Sequence, residues 1–532
     1  MKHNTMNSLA GKMQRKLLVA GMVVTLFAMA SCKKALDVDP KDVIRDKNFL
    51  RDYWDAEFML RGAYQAYQNI VEYKFVLGEV QADWVKPGPG ADKDLLELAS
   101  HQVTDKNRFT NWKVYYDLIN RANYVIENTP RVPLDPNFFS IAEQKAFIGE
   151  ARFLRSWAYF NLVMNFDSVP HILFAVDNIT KVPYLKATSQ NVILDTIEAD
   201  LTKAFDAVFT GVINVPNTFD IGKRPSEETT RLRATKRTVA ILQAEVYLWR
   251  NKYAQAVASC DNYANNGGGG PGGTWFNMFW GKSNENLFNG EMFMTVFEYL
   301  GREINPLMRY VSNDPASGGQ YMVAPSDTAL KTYNPNWPNS ISTNTAVDDT
   351  RGFGRSYAGS APYYNRVNSA PVIWKYLGLG TVTAGTANVA PNVRPPYRSD
   401  AKFHIYRLAD GQLLWAEALN RMGDKTNAIA RINSVRAANG TGMPAPTVTV
   451  NSTTEEIEDY ILRERGLELG FEGRRWYDLM RIARRRGAQY LINRIKKRAP
   501  ASQHTYLETR LADPKNWYLP YNAEEKRLNP NL

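Results

Sequence analysis

Three glutamates, Glu464, Glu468 and Glu472, fall four residues apart within "RERGLELGFEGRRWYDLM" (463–480). That interval stacks side chains on one helix face, and two carboxyls facing a substrate across a gap are what glycoside hydrolysis requires. The same stretch carries Arg465, Arg474, Arg475 and Asp478. Arg475 follows Glu472 by three residues and Asp478 follows Arg474 by four, spacings at which opposite charges on a helix pair. Ion pairs within and between helices therefore account for these carboxylates better than acid–base chemistry. Gly473 would cost roughly 1 kcal/mol in a helix interior, so a break or a close backbone contact is expected there.

Other patterns carry less chemistry. "GGGGPGG" (267–273) continues as Thr274-Trp275 instead of Gly-Lys-Ser/Thr, so the lysine of a phosphate loop is missing and the nucleotide site is rejected. The five histidines, at 3, 101, 171, 404 and 504, form no HExxH or His-Cys cluster, and no zinc site is expected. Asp348-Asp349 lack further acids at a spacing that would complete a calcium cage, which leaves an ion-paired turn. No cofactor is implied. The basic run "RIARRRGAQYLINRIKKR" (481–498) would suit nucleic acid in a cytosolic protein. Behind an export signal it reads instead as a solvated helix face, or one that meets anionic headgroups or an acidic partner surface.

That export signal is legible at the start. Lys12, Arg15 and Lys16 precede an almost wholly apolar run from Leu17 to Ala30, and the small residues Ala30-Ser31 precede Cys32 in "MASCKK", the layout of a secretory signal over 1–31. The run is shorter than the about 20 apolar residues that span a membrane. Its ending resembles the lipobox of a bacterial lipoprotein, in which Cys32 receives lipid and becomes the first mature residue, although Met29 stands where leucine is usual. Removal of 1–31 deletes four basic residues and no acids, taking the formal charge from +11 to +7. Cys260, in "AVASCDNYA", then lacks a mature thiol partner other than the anchor. It falls at helical spacing among apolar residues, the setting of a core thiol.

Apolar periodicity places amphipathic helices at 52–78, 109–130, 142–166, 191–209, 406–424 and 456–487, with a Pro-Gly loop at 83–92. "AEVYLWRNKYAQAV" (244–257) and "AEALNRMGDKTNAI" (416–429) align without a gap at an offset of 172, matching Ala244 with Ala416, Glu245 with Glu417 and Ala256 with Ala428. In each, a helix ends, a polar turn follows and a second helix begins, with small residues where tetratricopeptide helices cross closely. Residues 267–400 are rich in Gly, Pro, Asn, Ser and Tyr and lose this periodicity, yet are too aromatic for plain disorder. The expected organisation is mainly α: the signal (1–31), a helical region (32–266), an inserted loop-rich subdomain (267–400) and a second helical region (401–532).

At this point the chain resembles the SusD/RagB family of outer-membrane nutrient-binding lipoproteins of Bacteroidota. "GEARFLRSWAYFNLVMNFDSVP" (149–170), "LLWAEALNRMGDKTNAIARINSVRAANG" (413–440), "RERGLELGFEGRRWYDLMR" (463–481) and "WYLPYNAEEKRLNPNL" (517–532) resemble its signatures in the expected order. Tyr521 stands where isoleucine is common, and Phe166-Asp167-Ser168 replaces a more usual Gly-containing turn. The resemblance implies a protein without catalytic chemistry. It would be held at the cell surface through Cys32, capture a glycan or similar nutrient, and close over a SusC-like TonB-dependent transporter barrel.

Aromatics outside the periodic helices are the candidate ligand residues, since an indole offers its apolar face to a pyranose while nearby amides and carboxylates bond the hydroxyls. Trp84, after Asp83 and before the Pro-Gly loop, stands where the resemblance implies a binding aromatic. Trp275, Trp280 and Trp337 lie in the insert, the last beside Asn336, and Trp374 reads as a strand core position.

Overall fold

Side-chain caps set many of the helix starts. Asp52 accepts hydrogen bonds from the Trp54 and Asp55 amides and opens α1 (Tyr53–Gln68). Asn69, whose side chain competes for backbone bonds, marks the turn before α2 (Val71–Glu79), so the helix expected over 52–78 is divided. After α3 (Lys93–Ser100) and α4 (Lys113–Asn128), Ser140 and Glu143 form a capping box for the 26-residue α5 (Ile141–Phe166). The α6 helix (Gln190–Ala207) packs on α5, and α4 packs between α5 and α1. The computed structural model describes residues 49–177, 184–210, 233–265, 279, 292–296, 305–333, 351, 365–367, 370–378, 401–438 and 447–532. Asp52–Leu532 forms one unit.

The internal repeat is structural. α7 (Lys236–Trp249) and α8 (Tyr253–Asn265) form one helix pair, and the second pair begins 172 residues later at both helices. Between the two lie the short helices α9 (Leu307–Val311), α10 (Asp327–Tyr333) and α11 (Trp374–Leu377); the second pair is α12 (Leu408–Arg421) and α13 (Lys425–Ala438). The turns repeat as well: Asn251 (φ 58°) and Gly423 (φ 88°) take the left-handed conformation that Asn and Gly tolerate best. The Lys252 and Asp424 amides bond the Tyr247 and Leu419 carbonyls at 2.8 and 2.9 Å, closing each first helix in the Schellman manner. The pairs also pack on each other, because Ala244, Cys260, Trp415, Leu419 and Ala428 share one cluster. Cys260 is the core thiol expected, 1% exposed, and burial pushes its thiol up.

Short two-stranded pairings tie distant segments to this frame. β1 (Val85–Pro87) lies in the stretch expected to be loop and pairs antiparallel with β5 (Val323–Pro325); β2 (Val169–Pro170) pairs with β3 (Ala187–Thr188). β4 (Met292–Val296) pairs irregularly with β8 (Phe403–Arg407), and β6 (Asn365–Val367) with β7 (Ala370–Val372). The described parts of 267–400 are thus bonded to both helical regions. Trp374 is fully buried as expected, but it begins a helix instead of lying in a strand.

α14 (Thr454–Leu469), opened by a Thr453/Glu456 capping box, is separated from α15 (Arg475–Arg486) by a break at 470–474. α16 (Ala488–Lys496), α17 (His504–Leu511) and α18 (Ala523–Leu528) follow. Gly473 supplies both outcomes expected of it. Its φ is 73°, and a Cβ built on Gly78 would stand 2.1 Å from its carbonyl oxygen. The C-terminal residues strap the first helices: the Leu519 amide bonds the Asn165 carbonyl and the Ala523 amide the Asp105 carbonyl, each at 2.8 Å.

Gly466 on α14 and Gly470 just past its end leave a flat face against which the Trp84 indole lies; a Cβ at Gly466 would be 2.3 Å from Trp84 Cζ2. Overpacking of this kind costs typically ~1–3 kcal/mol, so Gly466→Ala should lower unfolding stability by about that amount in urea titration. The Gly466→Ala/Trp84→Phe double variant should recover part of the loss, the smaller ring making room.

Candidate functional site

The glutamates that could have formed a catalytic pair are neutralised in the interior. Arg351 donates to Glu464 and Glu468 at 2.7 and 2.9 Å; Arg407 donates to Glu468 at 2.7 Å and to both oxygens of Glu472 at 3.0 Å. Arg436 bonds Glu464 at 3.0 Å and Lys375 bonds Glu472 at 2.6 Å. Ion pairing is therefore the outcome, but the partners come from other segments. The helical pairs suggested by spacing, Glu472 with Arg475 and Arg474 with Asp478, are not among the ion pairs of the described residues. Asp478 instead pairs with Arg465 and, three residues on, with Arg481, each at 2.8 Å. Burial acts to raise Glu472, and Arg407 and Lys375 outweigh it and hold the carboxyl at about 2. Glu468 lies below the usual carboxylate range because burial is likewise outweighed, by Arg407 and Arg351. A general acid needs the opposite shift.

The basic run is mostly ion-paired, with Arg484 and Lys497 exposed, so the expected solvated face is only part of the outcome. Arg481 and Arg485 are buried against Glu417, Arg486 and Arg494 bond Asp459, and Lys496 pairs with Glu508. The run was read without its partners: Glu417, Glu458 and Asp459 lie on α12 and α14, across the helix packing.

Asp83 and Trp84 meet at the floor of a polar cleft of about 690 Å³. Asp83 accepts two bonds from Arg475, at 2.7 and 3.0 Å, and the guanidinium lies 5.1 Å over the Trp84 ring. Tyr333 meets the indole edge-on at 5.5 Å. Trp84 is 1% exposed and Asp83 fully buried, so neither presents a free face; the expected aromatic platform at Trp84 is a core residue that supports the cleft from beneath. The signal for this was in the sequence: two glycines four apart, Gly466 and Gly470, call for a large flat partner. Trp275, Trp280, Trp337, Asn336 and Cys32 lie outside the described residues, as do Asp348 and Asp349.

The walls of the cleft are α10, residues 447–452, the outer face of α14 and the end of α16. Its charges divide into committed and uncommitted groups. Asp459 holds Arg486, Arg494 and the Tyr490 hydroxyl, and Glu456 is used by the Thr453 amide and hydroxyl of the capping box. Lys331, Arg463 and Lys497 form no ion pair among the described residues, so the cleft keeps a surplus of positive charge. Sequence reasoning missed Lys331 and Arg463 and held Lys497 only as part of the basic run, because the three come from segments far apart in the chain. Among the described residues no three His, Cys, Asp or Glu side chains are placed to hold a metal ion, and no helix is long and apolar enough to cross a membrane.

Tetratricopeptide-like helix pairs, tied by buried ion pairs and opening on a polar cleft, define a helical scaffold class. The chain belongs within it to the SusD/RagB family. The model of the SusD family matches residues 304–532, and the SusD-like model described as starch-binding, associating with outer membrane, matches 39–219. SusD-like protein P38 of Formosa agariphila is 26% identical over 497 residues, covering 86% of this chain and 90% of the relative. A SusD superfamily protein from Bacteroides vulgatus shares the fold at TM-score 0.68 and 20% identity, covering 91% of this chain and 98% of the other. A laminarin-binding SusD-like protein does so at TM-score 0.62 and 19% identity, covering 89% and 97%.

Removing one member of a buried pair costs about 3–5 kcal/mol, so Arg407→Met, which leaves Glu468 and Glu472 short of partners, should lower unfolding stability by that much. The depressed Glu472 carboxyl fixes a sign as well. Its stabilisation is complete above the unfolded carboxylate value near 4.5 and is lost as pH falls toward about 2. Urea titrations should show the gap between the native protein and Glu472→Gln to be widest above pH 4.5 and to narrow steadily below it.

Proposed function

We propose that the protein is a non-catalytic cell-surface binding lipoprotein. It is anchored in the outer membrane through Cys32, captures a glycan or similar nutrient, and delivers it to a partner SusC-like TonB-dependent transporter. The observation that carries the reading is family membership over both helical regions. The lipobox and the laminarin bound by one structural neighbour support it. The state of the carboxylates argues for binding over cleavage: Glu464, Glu468 and Glu472 are buried and fully engaged by cations.

Within this reading the first cleft, with Trp337 and Asn336 only a few residues beyond the end of its α10 wall, is the glycan site. Its three uncommitted cations favour a glycan that carries carboxylate or sulfate groups. Charge-assisted hydrogen bonds to such groups are roughly twice as strong as neutral ones.

Calorimetry of the mature protein against laminarin, which is neutral, and polygalacturonate, which is acidic, tests this. The acidic polymer should bind more tightly, weaken as salt is raised, and lose about tenfold in affinity, or about 1.4 kcal/mol, in Arg463→Ala. Neither polymer should gain reducing ends on incubation. Release of reducing ends would refute the non-catalytic reading, and a failure of a broad polysaccharide panel to bind would refute glycan capture.

A further inference from the structure

A second cleft, of about 580 Å³, lies where the C-terminal strap crosses the end of α5 and the start of α6. Its volume falls in the range of about 300–1,000 Å³ typical of small-molecule sites. Asp167, Gln190, Lys515, Tyr518, Pro520 and Tyr521 line it, and none of these was a candidate in the sequence.

Asp167 is its unusual member. Its φ of 63° and ψ of −65°, with the Ser168 amide bonded to the Phe166 carbonyl at 2.7 Å, make a γ-turn of the rare strained hand. Glycine adopts this conformation freely and a residue with a β-carbon does not. The turn that the family resemblance led one to expect contains glycine; this chain holds a carboxylate there at the expense of strain.

The surrounding groups fix what lines the cleft. The Gln190 amide donates to Asp167, while its oxygen accepts from Trp249 Nε1 at 3.4 Å and from Arg484 at 3.2 Å. Arg484 lies 4.6 Å over the Trp249 ring and donates to the Tyr518 hydroxyl at 3.0 Å. The Tyr521 hydroxyl donates to the Ser168 carbonyl at 2.7 Å, and its ring leans on Trp112 at 5.3 Å. Both phenols are therefore held in place by their own hydroxyls, and both remain half-buried. The Asp167 carboxylate accepts from Gln190 and, at 3.0 Å, from the Ser168 hydroxyl. A carboxylate has about four lone-pair sites, so acceptor capacity is left over.

We propose that this cleft is a second sugar site, which takes a single pyranose unit of a bound glycan. The Tyr518 and Tyr521 rings and Pro520 cover the apolar C–H face, while Asp167 and Gln190 bond adjacent hydroxyls. The inference rests on the glycan-binding reading above and adds a position and a stereochemical role to it.

Saturation-transfer NMR on the mature protein with the methyl pyranosides of glucose, galactose and mannose, together with calorimetry against laminarin and polygalacturonate, tests it. At least one pyranoside should bind. Asp167→Gly should unfold at an equal or higher temperature, because the strain is relieved, and yet bind that pyranoside about tenfold or more weakly, a change on the scale of losing charged hydrogen bonds. Tyr518→Ala should weaken it similarly. A purely structural Asp167 predicts the gain in stability without the loss of binding. Pyranoside binding unchanged in both variants, or absent while a polysaccharide still binds, overturns the second site and leaves the first reading standing. Absence of binding by any polysaccharide overturns both.

Discussion

Burying guanidinium and carboxylate groups together is the constraint on which this fold turns. Each ion withdrawn from water carries a penalty of several kcal/mol that only a well-placed partner offsets. Here the partners come from segments distant in the chain: Arg351 and Lys375 from the insert, Arg407 from β8, Arg436 from α13, Asp410 and Glu417 from α12. Asp83 brings the N-terminal half into the same arrangement through Arg475. Any alternative packing of α14 and α15 would strand several charges at once. The contribution is therefore to selecting one arrangement, more than to net stability, since apolar replacement of a whole pair is often neutral.

Around that centre the backbone comes unusually close to itself. Gly78 meets Gly473, and Gly466 and Gly470 admit the Trp84 ring. Glu79 completes the junction, its carboxylate accepting from the Gly473 and Arg474 amides at 2.8 and 3.1 Å; burial raises it to about 7 even though those amides act to lower it. Its sign is opposite to that of Glu472. Stability from Glu79 is present below about 4.5 and declines as pH rises through 7, so the two carboxyls together favour a mildly acidic optimum.

Much of the helical frame was legible in the sequence because periodicity, caps and the 172-residue repeat are local or self-similar signals. The pairing of Ala244 with Ala416 foretold two helix pairs, and even the left-handed turn residues, Asn251 and Gly423, keep the offset. The site was less legible. Trp84 beside a Pro-Gly loop looks like a surface aromatic until Gly466 and Gly470, some 380 residues away, are set against it. The basic run looked solvated because its counter-ions lie on other helices. Asp167 was noted only as a departure from a glycine turn; that it faces Tyr518 and Tyr521 depends on where the C-terminal residues cross, which no local pattern encodes.

Arg351 and Lys375 give the insert an arrangement like that of a plug with two pins. Both enter the frame at fixed sockets on Glu464, Glu468 and Glu472. The β1–β5 and β4–β8 pairings fasten further described parts of the insert to the same frame, so the two cations share that task with backbone bonds. Loss of either pin would unseat the insert and strand a carboxylate of the frame in the same event, so damage at one place in the chain is registered at another.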